Sequence, residues 1–211
     1  MSILLCAATE LEIRPTAEFL GNKGLPVEVV VTGVGLAAAV YRITRAALER
    51  KPSMMIQAGV AGTLDQKLEL GQTVAVRSEI IGDEGVDENG RFRSLFELGL
   101  VGPDEFPYAG RKLVNEGPLI GQSGLPLVDG VTVNEISTNR NRIEYYRSLG
   151  ASSESLEGAG LHYVALMENI PFLQLRSFSN FIGERDKSKW MMAEAIANLN
   201  LHLQKLIKTL T

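Results

Sequence analysis

An α/β fold with a largely parallel sheet is what this sequence predicts, and three observations carry the prediction. Short, continuous apolar runs rich in branched residues recur through the first half, as strands do when both faces of a sheet are covered. Glycine turns follow these runs, and an amphipathic segment follows the first such turn. Strand, turn, helix and strand in that order describe a sheet flanked by helices.

Taken in order, SILLCAA and VEVVVTG read as buried strands. After VTGVG, the segment LAAAVYRITRAALERK puts Leu36, Val40, Ile43 and Ala47 on one helical face. MMIQAG reads as a third strand, followed by a glycine loop at 59–62, and GQTVAVRSEII as a fourth strand. Residues 82–128 are rich in glycine, proline and acids and too long for a turn, so a functional loop or an edge excursion is expected. Its aromatics Phe92, Phe96, Phe106 and Tyr108 either line a pocket or pin the segment to the surface, and composition favours pinning. GVTVNEIS then reads as a strand, TNRNRIEYYRSLG and SLEGAGLHYVALMENI as helices, and PFLQLRSFS as the last strand. From Trp190 to Leu210, Ile196, Leu199, Leu203, Leu206 and Leu210 form a core-facing stripe, with His202 placed at the surface. Without a repeat or a composition break, one domain over 1–211 is expected.

The bulk properties narrow the partners. With 211 residues the chain can bury a full core. A net charge of -4 with acids and bases interspersed favours a small-molecule partner over nucleic acid, which demands a basic face. A single cysteine, Cys6, excludes an internal disulfide, and its apolar neighbours make it a buried small hydrophobe. No basic segment precedes the first apolar run and no stretch reaches membrane-span length, so a cytoplasmic protein without a membrane partner is expected.

Each candidate group has a structural reading beside the chemical one. Thr32-Gly33-Val34-Gly35 approximates a dinucleotide fingerprint, but the next strand ends in Gln57 rather than an acid. A tight turn with close helix packing is the better account, and no cofactor is expected. The glycines at 33–35 and 59–62 suggest backbone approaching a ligand at the carboxyl ends of strands. Glu10 and Glu12 follow the first strand and, on an extended chain, would face the same way. They suit either a general base or a helix-start acid. Glu154 and Glu157 suit either the vicinal hydroxyls of a ribose or, again, a helix start. His162 has no second ligand at metal spacing, so no metal site is expected.

ATELEI, TGVG, QAGVAG with LELGQTVAV, ESLEGAG and LRSFSN occur in an order that resembles the purine nucleoside phosphorylase/nucleosidase superfamily, in its nucleosidase branch. The resemblance spans nearly the whole chain. It implies a three-layer α/β/α sandwich around a mixed, partly barrel-like sheet, assembled as a homodimer or higher homo-oligomer, that hydrolyses the N-glycosidic bond of a small-molecule nucleoside. It further implies that Glu12 activates water, Glu157 holds the ribose diol, Leu156 packs the ribose and Arg176 steadies the water network. Asn180, preceded by Ser179, falls at the base-reading position, and Ser137 and Thr138 fall where the base pocket is lined. Phe106 and Tyr108 are expected at the substrate's far end, from this chain or from a neighbouring subunit, and Arg91, Arg93 and the cluster from Arg185 to Lys189 at any anionic group it carries.

Two departures matter. Val60 stands where adenine-specific nucleosidases carry a serine, and Asn180 stands where they carry an aspartate. An amide donates to the carbonyl at position six of a 6-oxopurine and accepts from N7–H, so Asn180 predicts a hypoxanthine-type base. Glu12 and Val60 at the face where a phosphate would bind favour water as the nucleophile. The rivals are an adenine-type nucleosidase, a phosphorylase, and a non-catalytic nucleoside-binding or storage protein of the same fold. Glu12, Glu157 and Arg176 together count against the last.

Overall fold

The computed structural model describes residues 2–21 and 23–211. Strand β1 (Ile3–Ala7) pairs in parallel with β2 (Val27–Val31) and with the first half of β3 (Met54–Thr63). Alternate residues of β1 serve opposite layers. Ile3, Leu5 and Ala7 join one buried cluster, and Leu4 and Cys6 join another. Burial on both faces is why this strand reads as an unbroken apolar run.

Beyond β1 the sheet closes. β10 (Phe172–Phe181) lies parallel to β3 and antiparallel to β4 (Thr73–Ile81). β4 then pairs in parallel with β8 (Leu127–Thr132), and β8 with β9 (Ser153–Ser155). β9 returns antiparallel to the end of β3. Five strands therefore form a ring, from which β1 and β2 extend as an open flank. The sheet is mixed, as the resemblance implied.

Helix α1 (Glu10–Gly21) packs against α6 (Met192–Leu210) on one side, and α2 (Leu36–Arg50) packs against α5 (Gly158–Met167) on the other. The result is the three-layer sandwich. At Gly160 a Cβ would press on Leu36, Ala39 and Val40 at 3.3–3.4 Å, so the glycine lets α5 approach α2 closely. Among the described residues no helix is long and apolar enough to cross a membrane.

Several local expectations are corrected. Residues 59–62 are not a loop but the second half of β3. Gly59 and Gly62 are instead notches: a Cβ at Gly59 would meet Arg176 and Glu12, and one at Gly62 would meet Ile182. Glu10 and Glu12 do not face the same way, because the helix begins at Glu10 and two helical residues turn by about 200°; Glu10 is exposed and Glu12 buried. The segment from Ser155 to Ile170 is not one helix, since β9 precedes α5. The strand expected to run through 137 ends at Thr132. The last helix starts at Met192, after a single 3₁₀ turn, and His202 is half-buried.

Residues 82–128 are an edge excursion with some order of their own. They hold the hairpin β5 (Gly85–Glu88) and β6 (Arg91–Ser94), the short β7 (Leu113–Val114) against β4, and α3 (Pro118–Gln122). α4 (Arg140–Ser148) follows β8, with Asn139 accepting from two backbone N–H groups at its start. The aromatics do pin this region: Phe92 meets Tyr145 edge-on at 5.4 Å and Phe96 meets Tyr108 at 5.1 Å.

Candidate active site

The carboxyl ends of β1 and β3, the strand β9 and the far end of β10 surround a cavity of about 330 Å³. Glu12, Val60, Glu154, Leu156, Glu157, Ser179 and Asn180 line it, with Ile182, Trp190 and Ile196 supplying apolar wall. Arg176 lies directly beneath, 1% exposed.

Glu12 is held by a capping box. Thr9 N and Thr9 Oγ1 donate to its Oε2 at 3.0 and 2.8 Å, while Thr9 Oγ1 accepts from Glu12 N at 3.3 Å. The T-x-x-E spacing of Thr9 and Glu12 is the sequence signature of this arrangement. Glu12 Oε1 accepts the backbone N–H of Val60 at 3.0 Å. Val60 thus contributes through its peptide group, whatever its side chain. The helix-start and site readings of Glu12 are therefore compatible, one through each oxygen.

A buried asparagine fixes the helix that carries Glu12. Pro15 lies within α1, and Asn200 of α6 inserts beside it. Asn200 Oδ1 accepts from Thr16 N at 3.1 Å and from Thr16 Oγ1 at 2.7 Å, and Nδ2 donates to the carbonyl of Glu12 at 2.8 Å. The polar groups of the helix at this point are satisfied across the helix pair, which sets the position of Glu12.

Glu157 caps the front of α5 without a side-chain cap bond of its own. Its Oε1 accepts the N–H of Gly35 at 3.0 Å. Gly35 has φ 97°, in the left-handed region, where glycine carries no Cβ penalty. The TGVG turn therefore presents a peptide donor to a carboxylate. Arg176 Nη1 lies 3.8 Å from Glu157 Oε2, and Nη2 donates to Gln57 Oε1 at 3.1 Å. Gln57 Nε2 in turn donates to the carbonyl of Glu157 at 3.4 Å. The role of Gln57 was not legible in the sequence, because its value is only as a bridge between two distant residues.

Beneath this network sits Glu79, 1% exposed. It accepts from Gln174 Nε2 at 2.8 Å and from Thr132 Oγ1 at 3.0 Å. Burial pushes its carboxyl up to about 7, against the lowering effect of Gln174 and Arg176. Thr132 Oγ1 accepts the N–H of Ala159 at 2.7 Å, so Glu79 braces the first turn of α5, next to Glu157. His162 is also buried; its Nδ1 lies 3.0 Å from the carbonyl of Leu113, and burial pulls its pKa down to about 4. Burial likewise pushes the Cys6 thiol up to about 12, so it stays neutral.

At the other end of the cavity the register of β10 shifts between Phe178 and Asn180. Such a bulge re-aims side chains. Ser179 Oγ donates to Asn180 Oδ1 at 2.9 Å, and Asn180 Nδ2 donates to the carbonyl of Phe181 at 3.1 Å. The amide keeps one N–H and one lone pair for a ligand.

Not every residue expected here arrives. Phe106 is 68% exposed, and Tyr108 packs on Phe96 and Tyr163, so neither lines the cavity of this chain. The reason is the pinning of 82–128 along the outer face of α5. Ser137 is buried behind the wall, donating its N–H to Glu154 Oε1 at 3.1 Å. Thr138 is exposed on a neighbouring cavity with Arg91. Of the basic residues, Arg185 lines the cavity, its guanidinium 5.6 Å from the Trp190 ring centroid. Lys189 is paired with Glu184, and Arg93 with Glu88. Among the described residues no cluster of histidine, cysteine and acids has metal-binding form.

The model of the phosphorylase superfamily matches residues 10–210, and the chain belongs to that superfamily. Within it, this chain is similar to a futalosine hydrolase of Thermus thermophilus, 28% identical over 196 residues that cover 89% of this chain and 84% of that one. It is equally similar, at 28% over 189 residues covering 87% and 79%, to a futalosine hydrolase of Streptomyces coelicolor. Among solved structures, futalosine hydrolase of Helicobacter pylori superposes with a TM-score of 0.84 at 16% identity, covering 99% and 98% of the two chains. A Helicobacter pylori MTAN mutant with 5′-methylthioadenosine in the active site gives 0.84 at 17%, with the same coverage. These two structural likenesses establish the fold.

Proposed function

We propose that this chain is a futalosine hydrolase, cleaving the N-glycosidic bond of futalosine with water to release hypoxanthine and dehypoxanthine futalosine, a step of menaquinone biosynthesis. The observation that carries the proposal is the pairing, in one cavity, of a Glu12–Arg176–Glu157 cluster with an amide at the base end. The curated relatives above point the same way.

In this reading, water lies between Glu12 and the anomeric carbon. As the C1′–N9 bond breaks, its electron pair leaves with the purine and positive charge gathers on the ribose. Glu157, anchored by Gly35 N–H, accepts from the ribose hydroxyls and offsets that charge. Glu12 takes the water proton as the oxygen bonds to C1′. Arg176, buried below, keeps two like-charged carboxylates close together. The departing hypoxanthine takes a proton at N7 from solvent water, and the proton that Glu12 removed returns to solvent; Asn180 donates to O6 and accepts from that N7–H. A carboxylate at Glu12 stands where phosphate would have to bind, so water is the nucleophile. Arg185 serves the aryl carboxylate that futalosine carries beyond its 5′ carbon.

We further infer a homo-oligomer in which a partner's 92–108 segment closes the cavity mouth. Exposed Leu11 and Val34 at the mouth, and exposed Leu100 and Phe106 on that segment, support this. Light scattering at micromolar concentration tests it; a monomer there sinks the inference.

The activity test is incubation with futalosine, aminofutalosine, methylthioadenosine and inosine, with and without phosphate. Phosphate-independent release of hypoxanthine from futalosine is the expected result. Base release from adenine substrates alone would overturn the assignment.

A further inference from the structure

Glu79 and His162 lie inside the protein, 1% and 0% exposed, and the glycosidic step uses neither. Gln174 of β10 stands between them, within hydrogen-bonding reach of both. The start of α5 closes over the pair: a Cβ at Gly158 would collide with Glu79 Oε1 and Gln174 Nε2. The glycine that follows Glu157 is therefore a notch that lets a buried carboxyl and an amide sit directly beneath the helix start.

The donors and acceptors here balance only with a proton on Glu79. His162 Nδ1 faces the carbonyl of Leu113, so it carries the hydrogen, and Nε2 of the neutral ring is an acceptor. With Gln174 Nε2 directed at Glu79, both Gln174 Oε1 and His162 Nε2 are buried without a partner, and each orphan costs stability. A half-turn of the amide exchanges its oxygen and nitrogen. Gln174 Nε2 then donates to His162 Nε2, and Gln174 Oε1 accepts from a protonated Glu79 Oε1. Glu79 Oε2, now the carbonyl oxygen of the acid, still accepts from Thr132 Oγ1, which still accepts Ala159 N–H. An ionised Glu79 with a charged His162 would also fill every valence, but it separates two charges in a dry interior, and Arg176 opposes the second cation.

We propose that Glu79 is a positioning residue that works in its protonated form, at the centre of a one-way chain of hydrogen bonds from Ala159 N–H through Thr132, Glu79, Gln174 and His162 to the carbonyl of Leu113. This deepens the proposed function and rests on it, since what the chain holds is the first turn of α5, where Glu157 is the cap. A neutral Glu79 also leaves the Arg176 charge to Glu157 and Glu12. The charged and titratable groups that face Glu79 are Arg176 from β10, and Glu157 and His162 from the start and body of α5; β8 presents Gly130 and Thr132, and β7 pairs Leu113 with it. Burial pushes the Glu79 carboxyl up to about 7 and pulls His162 down to about 4, so between those values the proton rests on the acid. The chain is intact below about pH 7 and is lost as the pH rises through it.

The test compares wild type with Glu79→Gln and Glu79→Ala. Glutamine replaces the O–H donor with an NH2 and keeps the oxygen for Thr132, whereas alanine supplies neither. Base release from futalosine and from methylthioadenosine is followed against pH, and infrared spectra of wild type and Glu79→Gln at pH 6 are subtracted. Glu79→Gln should turn over about ten- to a hundred-fold faster than Glu79→Ala at pH 6. Wild-type kcat should fall as pH rises through about 7, and Glu79→Gln should lack that fall. The difference spectrum should contain the C=O stretch of a protonated carboxylic acid. A glutamine variant as slow as the alanine one, an alkaline fall shared by wild type and Glu79→Gln, or a spectrum of ionised carboxylate alone overturns the proposal. Should neither variant fold, nitrogen-15 NMR of His162 in the wild type decides. A neutral ring whose Nε2 accepts a hydrogen bond supports the chain, and an imidazolium or a free Nε2 overturns it. Wild-type protein that releases no base from any nucleoside sinks the hydrolase reading, while the infrared and NMR spectra still decide whether Glu79 holds the proton.

Discussion

The two ends of the cavity are built differently. At the sugar end, each charged group is tied to a distant part of the chain: Glu12 to Val60, Glu157 to Gly35 and Arg176 to Gln57, with sequence separations of 48, 122 and 119. At the base end, the bonds of the amide and of the second carboxyl are local, although the Ser179 hydroxyl also lies 3.3 Å from the carbonyl of Ala61. Asn180 meets its neighbours Ser179 and Phe181, and Glu154 meets Ser137, 17 positions away. The sugar end is thus rigid because the whole fold specifies it. The base end is an amide with open valences that a single substitution can re-specify. Bond cleavage is the same for any purine nucleoside, whereas the base differs, so the division follows the chemistry.

The strongest way to break this comparison is at Glu12. Glu12→Gln retains an acceptor for Val60 N–H but cannot take a proton, and kcat should fall by about 10²–10⁴-fold. The loss should be the same for every nucleoside that turns over, as read by base release. A loss that depends on the base would mean that the two ends are not separable.

Asn180→Asp tests the other side. Preference should move about ten- to a hundred-fold towards a 6-aminopurine nucleoside, with kcat on the favoured substrate little changed. An unaltered ratio of kcat/KM values would show that residue 180 does not read the base.

The scaffold of the sugar end is next. Asn200→Ala leaves Thr16 N and the Glu12 carbonyl without their partner, and unfolding in urea should show a loss of about 1–3 kcal/mol. Turnover should fall for all nucleosides alike, since it is the position of Glu12 that loosens.

Glu79 gives the most specific signal. Its folded pKa of about 7 lies above the ordinary 4.5, so the folded state holds the proton more tightly. The stability this contributes is fully present below pH 4.5 and is lost as pH rises towards 7, at no more than about 1.4 kcal/mol per unit. Chemical denaturation across pH 5 to 7 should show that decline in the wild type and a flatter profile in Glu79→Gln. Parallel profiles would refute it.

What could be read along the chain divides on the same line. The strands around Leu4 and Val76 were legible because burial on both faces leaves a local apolar signature, whereas the strand around Val29, expected to be buried, is a half-exposed edge strand legible only from its branched residues. The stripe of the last helix was legible for a similar reason. Gly59 and Gly62 were misread as a loop because a glycine that turns the chain and a glycine that admits Arg176 or Ile182 look identical in sequence. β9 was missed because three residues carry no period. Thr9 was available through its T-x-x-E spacing with Glu12, but Gln57, Glu79 and Asn200 carry no local mark at all. Phe106 and Tyr108 were expected at the substrate's far end, from this chain or from a neighbouring subunit; within this chain Tyr108 packs on Phe96 and Tyr163 and Phe106 is exposed, both away from the cavity.

By itself, the sequence determined the α/β class of fold, which depends on short-range apolar pattern, while the three layers and the residues for nucleoside chemistry were implied by the resemblance that its ordered motifs carry. Only the tertiary structure decided which acids meet which donors, that Arg176 lies across a glycine to reach Gln57, and that Glu154 and Asn180 flank Gly62. Those facts depend on strand register and on which face a side chain takes, and a one-residue shift in either changes every contact without altering the apolar pattern.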